Sequence, residues 1–128
     1  MAPIKSYTDI EQSRKLAEIL PIESADMWWL YITAQGKRVA MMHEEPDPHY
    51  LTRMESCGIK DAAIRCWSLA ALLDLMICPN LEEYIEGVWN LTAFTDESLR
   101  TPIELQDCES AVDACYEMIL KLYELKML

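Results

Sequence analysis

Residues 107–128, DCESAVDACYEMILKLYELKML, decide the fold of this chain. At about 100° per residue, the polar side chains of this stretch gather in one arc of about 120° on the surface of a helix. They are Glu109, Ser110, Asp113, Glu117, Lys121 and Glu124. The rest of the stretch is almost entirely apolar. Because so narrow a polar stripe leaves most of the helix surface to be covered, the stretch is predicted to form the central helix of the core.

An amphipathic surface helix is predicted near the N-terminus. Thr8 and Glu11 have the spacing of a capping box, in which the hydroxyl and the carboxylate each accept a hydrogen bond from a backbone N–H. The helix then continues to about Leu20, because Pro21 cannot continue it. Its charged residues face away from an apolar side, so this helix is expected to lie on the surface of the core.

A β-hairpin and a long loop are predicted next. MWWLYIT, residues 27–33, is rich in aromatic and β-branched residues, and both of its faces are apolar, as in a central or covered strand. Residues 34–37 supply a turn around Gly36, and residues 38–42 return as an antiparallel partner. Residues 43–58, HEEPDPHYLTRMESCG, contain two prolines and clustered acids and are interpreted as a loop.

A helix is predicted in the middle of the chain. Residues 61–65 are too few for periodicity to distinguish a short strand from a first helical turn. From Cys66 onward the apolar residues recur at helical spacing. Pro79 is expected to end this helix.

A second hairpin is predicted to follow this helix. Residues 85–94 alternate between a drier and a wetter face, as a strand does. Residues 95–98 are a predicted turn, and residues 99–105 a second strand. Because Pro102 cannot donate a hydrogen bond to a neighbouring strand, the second strand is expected at an edge of the sheet.

The predicted order of elements is helix, hairpin, loop, helix, hairpin and helix. Such an order is most simply closed as an α+β fold. An antiparallel sheet of about four strands would have the N-terminal, middle and C-terminal helices packed mainly on one face. No linker or repeat divides the sequence, so residues 1–128 are expected to form a single domain.

The chain is strongly acidic. Its 128 residues carry 22 Asp and Glu against 11 Lys and Arg, for a formal net charge of −11. Such a charge disfavours direct binding to nucleic acid and to an anionic membrane surface. It suits solubility above all, and also attraction to cations or to basic protein surfaces.

The cysteines and the N-terminal sequence favour a reduced, cytoplasmic protein. The five cysteines form no CxxC pair, which argues against a zinc ribbon or a thioredoxin-type site. Residues 1–12 lack the apolar core of a signal peptide. The longest apolar run, residues 69–78, is too short to span a bilayer and contains Asp74.

Three segments of the chain form a combination that other proteins share. They are YTDIEQSRKLAEILPIESADM at residues 7–27, CWSLAALL at residues 66–73 and DACYEMILKLYELKML at residues 113–128. Together they resemble a family of small acidic hypothetical proteins encoded in gut Bacteroidales genomes, their phages and mobile elements. The resemblance covers about 45 of the 128 residues. It implies a prokaryotic or phage cytoplasmic setting and assigns no catalytic or binding residue.

One cluster contains the residue types that bind metals. His43 and His49 flank Glu44, Glu45 and Asp47. Carboxylates with imidazole can hold a divalent cation if a loop folds around it. The spacing matches no established metal site, however, and the prolines favour an extended, solvated acidic loop. His43, His49 and Asp47 are therefore only weak metal candidates, and no cofactor is expected.

Patterns for catalysis are sparse. Cys57 lies near His49 in the sequence, and Cys66 precedes a predicted helix whose N-terminus could lower the pKa of a thiol. The glutamates at residues 82–86 could do acid–base work, but a solvated edge is the simpler interpretation. No residue is proposed as catalytic, and an enzymatic function is disfavoured.

The aromatic residues of the first strand are the candidate binding surface. Trp28 and Trp29 point to opposite faces of that strand. If helices cover one face only, one indole lies on the open face, where Tyr31 or Met27 beside it would complete an apolar patch of the kind that binds a partner. The alternative is that the loop covers one indole and the helices cover the other. Trp28, Trp29 and Tyr31 are the predicted partner-binding residues.

Three functions are compatible with these patterns. The first is a non-enzymatic protein-interaction module of a phage or mobile element, with a host protein, a phage protein or a second copy as its partner. The second is an acidic mimic of nucleic acid that inhibits a host defence protein, with a regular row of charges at Glu109, Asp113 and Glu117. The third is a small-ligand binder or enzyme with a pocket between residues 43–58 and the sheet.

Overall fold

The computed structural model describes residues 5–32, 37–41, 46–95 and 101–126. The helices are α1 (Ile10–Ile19), α2 (Pro48–Ser56), α3 (Leu69–Asp74) and α4 (Ala111–Glu124), with a 3-10 turn at Ile22–Ser24. The strands are β1 (Met27–Ile32), β2 (Lys37–Met41), β3 (Ala63–Cys66), β4 (Ile77–Ile85), β5 (Val88–Phe94) and β6 (Pro102–Cys108). The fold is α+β, as predicted. The described strands form two antiparallel three-stranded sheets, where a single sheet of about four strands was expected.

The chain divides into two compact units, each built around one sheet. Unit I comprises Asp9–Trp67, and unit II comprises Met1–Thr8 together with Ser68–Leu128. The sheet of unit I has the strand order β2-β1-β3, and the sheet of unit II has the order β4-β5-β6. The expectation that the whole chain is a single domain stays a prediction.

Asp9, not Thr8, is the N-cap of helix α1. The Asp9 carboxylate accepts a hydrogen bond from the Gln12 backbone N–H at 2.8 Å, and the Gln12 side chain accepts one from the Asp9 N–H at 3.1 Å. These bonds form a capping box one residue later than predicted. The predicted cap was wrong because Thr8 adjoins an equally suitable N-cap residue. Helix α1 packs against β3 and buries Leu16 completely.

Helix α2 occupies much of the stretch predicted as a loop, residues 43–58. Pro48, which suggested the loop, stands in the first turn of the helix, where its missing N–H needs no partner. Asp47 caps the helix by accepting a hydrogen bond from the His49 backbone N–H at 2.9 Å. Met54 is buried. The loop prediction was therefore wrong for this part of the stretch.

The segment that follows α2 is a strand. For residues 61–65 the sequence did not distinguish a strand from a helical turn. In the structure, Ala63–Cys66 forms β3, antiparallel to β1. Within β3, Ile64 and Cys66 are buried and the two residues that alternate with them are half-buried. This alternation is that of a strand with one covered face. Because β1 lies between β2 and β3, the prediction of a central first strand is confirmed.

In unit II, helix α3 is shorter than predicted and strand β4 follows it closely. Ser68 caps α3 by accepting a hydrogen bond from the Ala71 backbone N–H at 3.2 Å. Pro79 does not end the helix. It lies within β4, an edge strand of the described sheet, where a missing N–H is tolerated. The register of β4 against β5 shifts between Ile77 and Asn80, so the pairing is irregular at the proline.

The edges of the unit II sheet are irregular or carry proline. A second shift in the register of β4 falls between Glu83 and Ile85. Strand β6 forms the opposite edge and begins with Pro102, so the predicted edge position of this proline is confirmed. The turn predicted for residues 95–98 lies largely outside the described residues, because residues 96–100 are not among them.

Helix α4 confirms that the C-terminal stretch forms a buried helix. It packs against β5, β6 and α3. Seven of its residues are buried, namely Ala111, Val112, Ala114, Cys115, Met118, Ile119 and Leu122. Tyr123 and Leu125 are exposed, so the cover over the helix ends before its last turn. Within the described residues, neither α4 nor any shorter helix has the length and apolar character needed to cross a membrane.

Truncation of two leucines near the C-terminus tests this burial. Leu122 is 2% exposed and Leu125 is 49% exposed. We expect Leu122→Ala to lower the free energy of unfolding by about 2–5 kcal/mol, because it removes buried methyl groups and leaves a cavity. Leu125→Ala, the matched control, should change it by less than about 0.5 kcal/mol. Urea denaturation measures both values, and equal losses at the two positions would contradict the packing of α4.

Candidate functional site

The two predicted tryptophans lie on opposite faces of the unit I sheet. Trp28 lies opposite Arg65 of β3. Trp29 lies opposite Ile64. Because side chains alternate along a strand, Tyr31 shares the face of Trp29. The three predicted binding residues are therefore separated, with Trp28 on one face and the other two on the opposite face.

Trp28 is stacked with Arg65. The guanidinium carbon of Arg65 lies 5.1 Å from the centroid of the Trp28 ring, within the range of a cation–π contact. The Nη1 group of the same guanidinium donates a hydrogen bond to the Ile22 carbonyl at 2.9 Å. Two contacts from different elements thus fix the guanidinium over the indole. The indole and the guanidinium are therefore held in place by contacts within unit I.

A groove of about 390 Å³ opens beside this pair. It is lined by Arg14, Ala17, Glu18, Trp28, Asp61, Ala63, Ile64 and Arg65. These residues belong to α1, β1, β3 and the segment before β3, all within unit I. We call this surface the Trp28 groove. Its lining combines an indole and small apolar side chains with two guanidinium groups and two carboxylates.

The charged groups of the Trp28 groove are only partly engaged. Glu18 forms an ion pair with Lys15 at 3.8 Å, and both side chains are more than half exposed. An ion pair this exposed is weak, so another cation can replace Lys15. Arg14 is exposed and forms no ion pair with another described residue. Arg14 and Glu18 are therefore available to a partner.

Tyr31, on the opposite face, has one contact at its ring and one at its backbone carbonyl. The guanidinium of Arg38, its register partner on β2, lies 5.9 Å from the centroid of the Tyr31 ring. The Tyr50 hydroxyl of α2 donates a hydrogen bond to the Tyr31 carbonyl. Neither Tyr31 nor Trp29 lines the Trp28 groove, and their role in binding stays a prediction.

The weak metal candidates form no metal site within the described residues. The Asp47 carboxylate caps α2 through the His49 backbone N–H, and the His49 side chain is exposed. His43, Glu44 and Glu45 lie outside the described residues. Across the ranges that are described, no three His, Cys, Asp or Glu side chains are grouped in a way that suits a metal ion.

Neither candidate cysteine nucleophile has the surroundings that catalysis needs. Cys57 is the C-cap of α2 and His49 lies in the first turn of that helix. Eight residues of helix separate them by about 12 Å along the axis, beyond the reach of a hydrogen bond. Cys66 is fully buried within β3 and does not lie in the first turn of a helix.

Cys115 and Cys108 are held in the neutral thiol form. Burial raises the pKa of Cys115 to about 12, and the neighbouring Cys108 adds to the rise. Burial also raises the pKa of Cys108, and the carboxylates of Glu117, Asp113 and Asp107 raise it further. Thiolate chemistry is therefore disfavoured at both residues near neutral pH.

The glutamates at residues 82–86 lie on an exposed arm of the β4–β5 hairpin. Residues 82–87 are all exposed, and Tyr84 on this arm is 70% exposed. The Asn80 side-chain amide donates a hydrogen bond to the Glu82 carboxylate at 3.3 Å. Carboxylates this open to solvent lack the enclosure that tunes a catalytic acid or base. The arm is a solvated edge, in agreement with the simpler interpretation.

The sequence identified Trp28 but not the charged residues around it. Arg65 is distant from Trp28 in the chain and meets it only through the register of β1 and β3. Arg14 and Glu18 are among the charged residues predicted to face away from the apolar side of the N-terminal helix, and nothing in the sequence links them to the strand. Their spacing of four residues, which puts them on one helix face, was the only signal that could have grouped them.

Alkylation of the cysteines tests the burial described above. Cys57 and Cys78 are exposed, whereas Cys66 and Cys115 are buried. Near neutral pH we expect iodoacetamide to modify the exposed pair in the native protein and the buried pair only after unfolding, because the reaction needs an accessible thiolate. Peptide mass mapping locates the modified residues. Modification of Cys115 as fast as Cys57 would contradict the structure.

The raised pKa of Cys115 also makes stability depend on pH. The pKa of its thiol is 9.0 in an ordinary environment and about 12 in the folded protein. Unfolding above pH 9 therefore releases a proton, so the stability that the neutral thiol contributes is full below pH 9 and is lost as the pH rises toward 12. Between pH 9 and pH 12, we expect the free energy of unfolding of the native protein to fall more steeply with pH than that of the Cys115→Ala variant. Denaturant titrations at several pH values measure both free energies. Equal dependence on pH in the two proteins would contradict the expectation.

Comparisons with known proteins add no relative from which a function could be transferred. No protein-family model, no curated protein and no solved structure matches this chain. The function of the Trp28 groove is therefore inferred from its own geometry.

Proposed function

We propose that this protein is a non-enzymatic protein-interaction module that binds a short segment of a partner protein in the Trp28 groove. The observation that carries the proposal is the partly exposed Trp28 indole, which Arg65 holds at the wall of an open groove. Tryptophan and arginine are among the side chains most enriched where protein interfaces gain their binding energy. A phage or mobile element is the proposed setting, on the strength of the sequence resemblance alone.

The lining of the groove suits a peptide segment. Ala17 and Ala63 are small and leave room beside the indole for an apolar side chain. Arg14 and Glu18 are exposed to solvent at the rim. An apolar centre with a charged rim is typical of protein interfaces. The groove residues provide no pairing of a nucleophile with a base, which favours binding over catalysis.

A small-ligand binder is the second candidate. The groove volume of about 390 Å³ falls within the range of small-molecule sites, about 300–1,000 Å³. Its position differs from the pocket that the sequence suggested, because none of the lining residues belongs to residues 43–58. A peptide segment is favoured over a small molecule because the groove is open and has a charged rim.

The acidic mimic of nucleic acid has less support. Its row of charges consists of Glu109, Asp113 and Glu117. Lys5 forms an ion pair with the Asp113 carboxylate at 2.8 Å. Mimicry needs free negative charges at phosphate-like intervals, and this ion pair neutralises the middle one.

Peptide selection against the whole protein tests the proposal. Peptides from a displayed library that are enriched on the immobilised chain are synthesised, and their affinities are measured by isothermal titration calorimetry. We expect Trp28→Ala to weaken binding by about tenfold or more, because central tryptophans contribute strongly to interfaces. Tyr84→Ala removes an exposed aromatic ring from unit II and is the matched control. It should leave the affinity within about twofold.

Two outcomes would count against the module. Either no peptide is enriched over beads without the chain, or the enriched peptides bind Trp28→Ala as tightly as the native sequence. If, in addition, small apolar compounds raise the melting temperature of the native protein and not that of Trp28→Ala, the small-ligand candidate replaces it.

A further inference from the structure

We infer that the Trp28 groove selects a partner segment in which an apolar side chain stands between a carboxylate and a basic group. The inference rests on the proposed function and deepens it by naming the chemistry of the partner. It follows from the two kinds of charge that line the groove around its indole.

Two guanidinium groups offer sites for a carboxylate. Arg65 uses Nη1 for the Ile22 carbonyl at 2.9 Å. Its other N–H donors have no hydrogen bond to a described residue and can serve a ligand. Arg14 extends from the exposed side of α1 and has no ion-pair partner within the described part of the chain. A carboxylate suits both groups, because the guanidinium fork can donate two parallel hydrogen bonds to it.

Two carboxylates offer sites for a basic group. Among the described residues, Glu18 is paired only with the exposed Lys15, at 3.8 Å. A lysine or arginine of a partner can replace that pairing. The backbone carbonyl of Asp61 accepts a hydrogen bond from Arg38. Its carboxylate has no hydrogen bond to another described residue, and Asp61 lines the groove.

A segment with charges of one sign would meet repulsion in the groove. Acidic side chains alone would approach Glu18 or Asp61. Basic side chains alone would approach Arg14 or Arg65. Unit I carries seven Lys and Arg against ten Asp and Glu, whereas unit II carries four against twelve. Unit I, which contains the groove, is thus closer to charge balance than unit II. Like-charge contacts across an interface disfavour the wrong partner.

Five short peptides test the inference. Each is acetylated and amidated and carries one central leucine in a Gly-Ser frame. The two residues that flank the leucine are Glu and Lys, Lys and Glu, two Glu, two Lys, or two Gln. Their affinities for the full chain are measured by isothermal titration calorimetry at physiological ionic strength. We expect one of the two mixed-charge peptides to bind about fivefold more tightly than the two-Glu, two-Lys and two-Gln peptides.

Charge reversal at the rim provides a matched pair of variants. Arg14→Glu replaces a groove cation with an anion and should shift the preference by about tenfold toward the two-Lys peptide. Lys121→Glu makes the same change in net charge on the exposed side of α4, in unit II. It should leave the ranking of the five peptides unchanged. Circular dichroism spectra confirm that both variants are folded.

The possible failures of the inference and of the proposed function are distinguishable. Equal affinities for the five peptides, no binding by any of them, or a ranking that both variants alter equally would overturn the inference. If the inference fails in one of these ways but library-selected peptides still require Trp28 for binding, the proposed function stands without the inference. Tight binding of free leucine, which displaces the peptides at equal concentration, would assign the groove to a small zwitterion and overturn both.

Discussion

The antiparallel register between β1 and β3 is the constraint on which the candidate site depends. It sets Trp28 opposite Arg65, so that the indole and the guanidinium meet on one face of the sheet. A slip of one residue in this register would move Trp28 and all the remaining side chains of β1 to the opposite face of the sheet. Ile64 and Cys66 oppose such a slip, because they are buried and alternate with the half-buried Arg65. The packing of unit I thereby determines the geometry of the candidate site.

The elements that the sequence predicted well are those with a strong burial pattern. The narrow polar stripe of α4, the apolar first strand and the alternation along β5 each specify one kind of element. Proline misled the prediction at two positions. Pro48 begins a helix, and Pro79 lies in an edge strand with irregular pairing. Both prolines stand where a backbone N–H donor is not needed, in the first turn of a helix and in an edge strand. The local sequence does not show that these positions lack a need for a donor.

The sequence predicted the central aromatic residue of the candidate site but not the residues around it. Trp28 stands out by residue type and by its place in an apolar strand. Its charged neighbours come from a helix and from a second strand, and only the tertiary arrangement of unit I brings them together. The division into two sheets was missed for a related reason, because the sequence predicted no strand between the middle helix and residue 85. Pairing with β5 makes this segment one strand.

The nine-residue outer strand of the unit II sheet has features that disfavour the addition of a strand from a second copy. Strand β4 pairs on one side only among the described strands, and its register is broken twice. Pro79 lacks the donor that an added strand would need. In a cross-β stack, Glu82 and Glu83 would stand beside the same acids of the next molecule, where like charges repel. The acidic side chains of β4 thus oppose edge-to-edge pairing of this strand with a copy of itself.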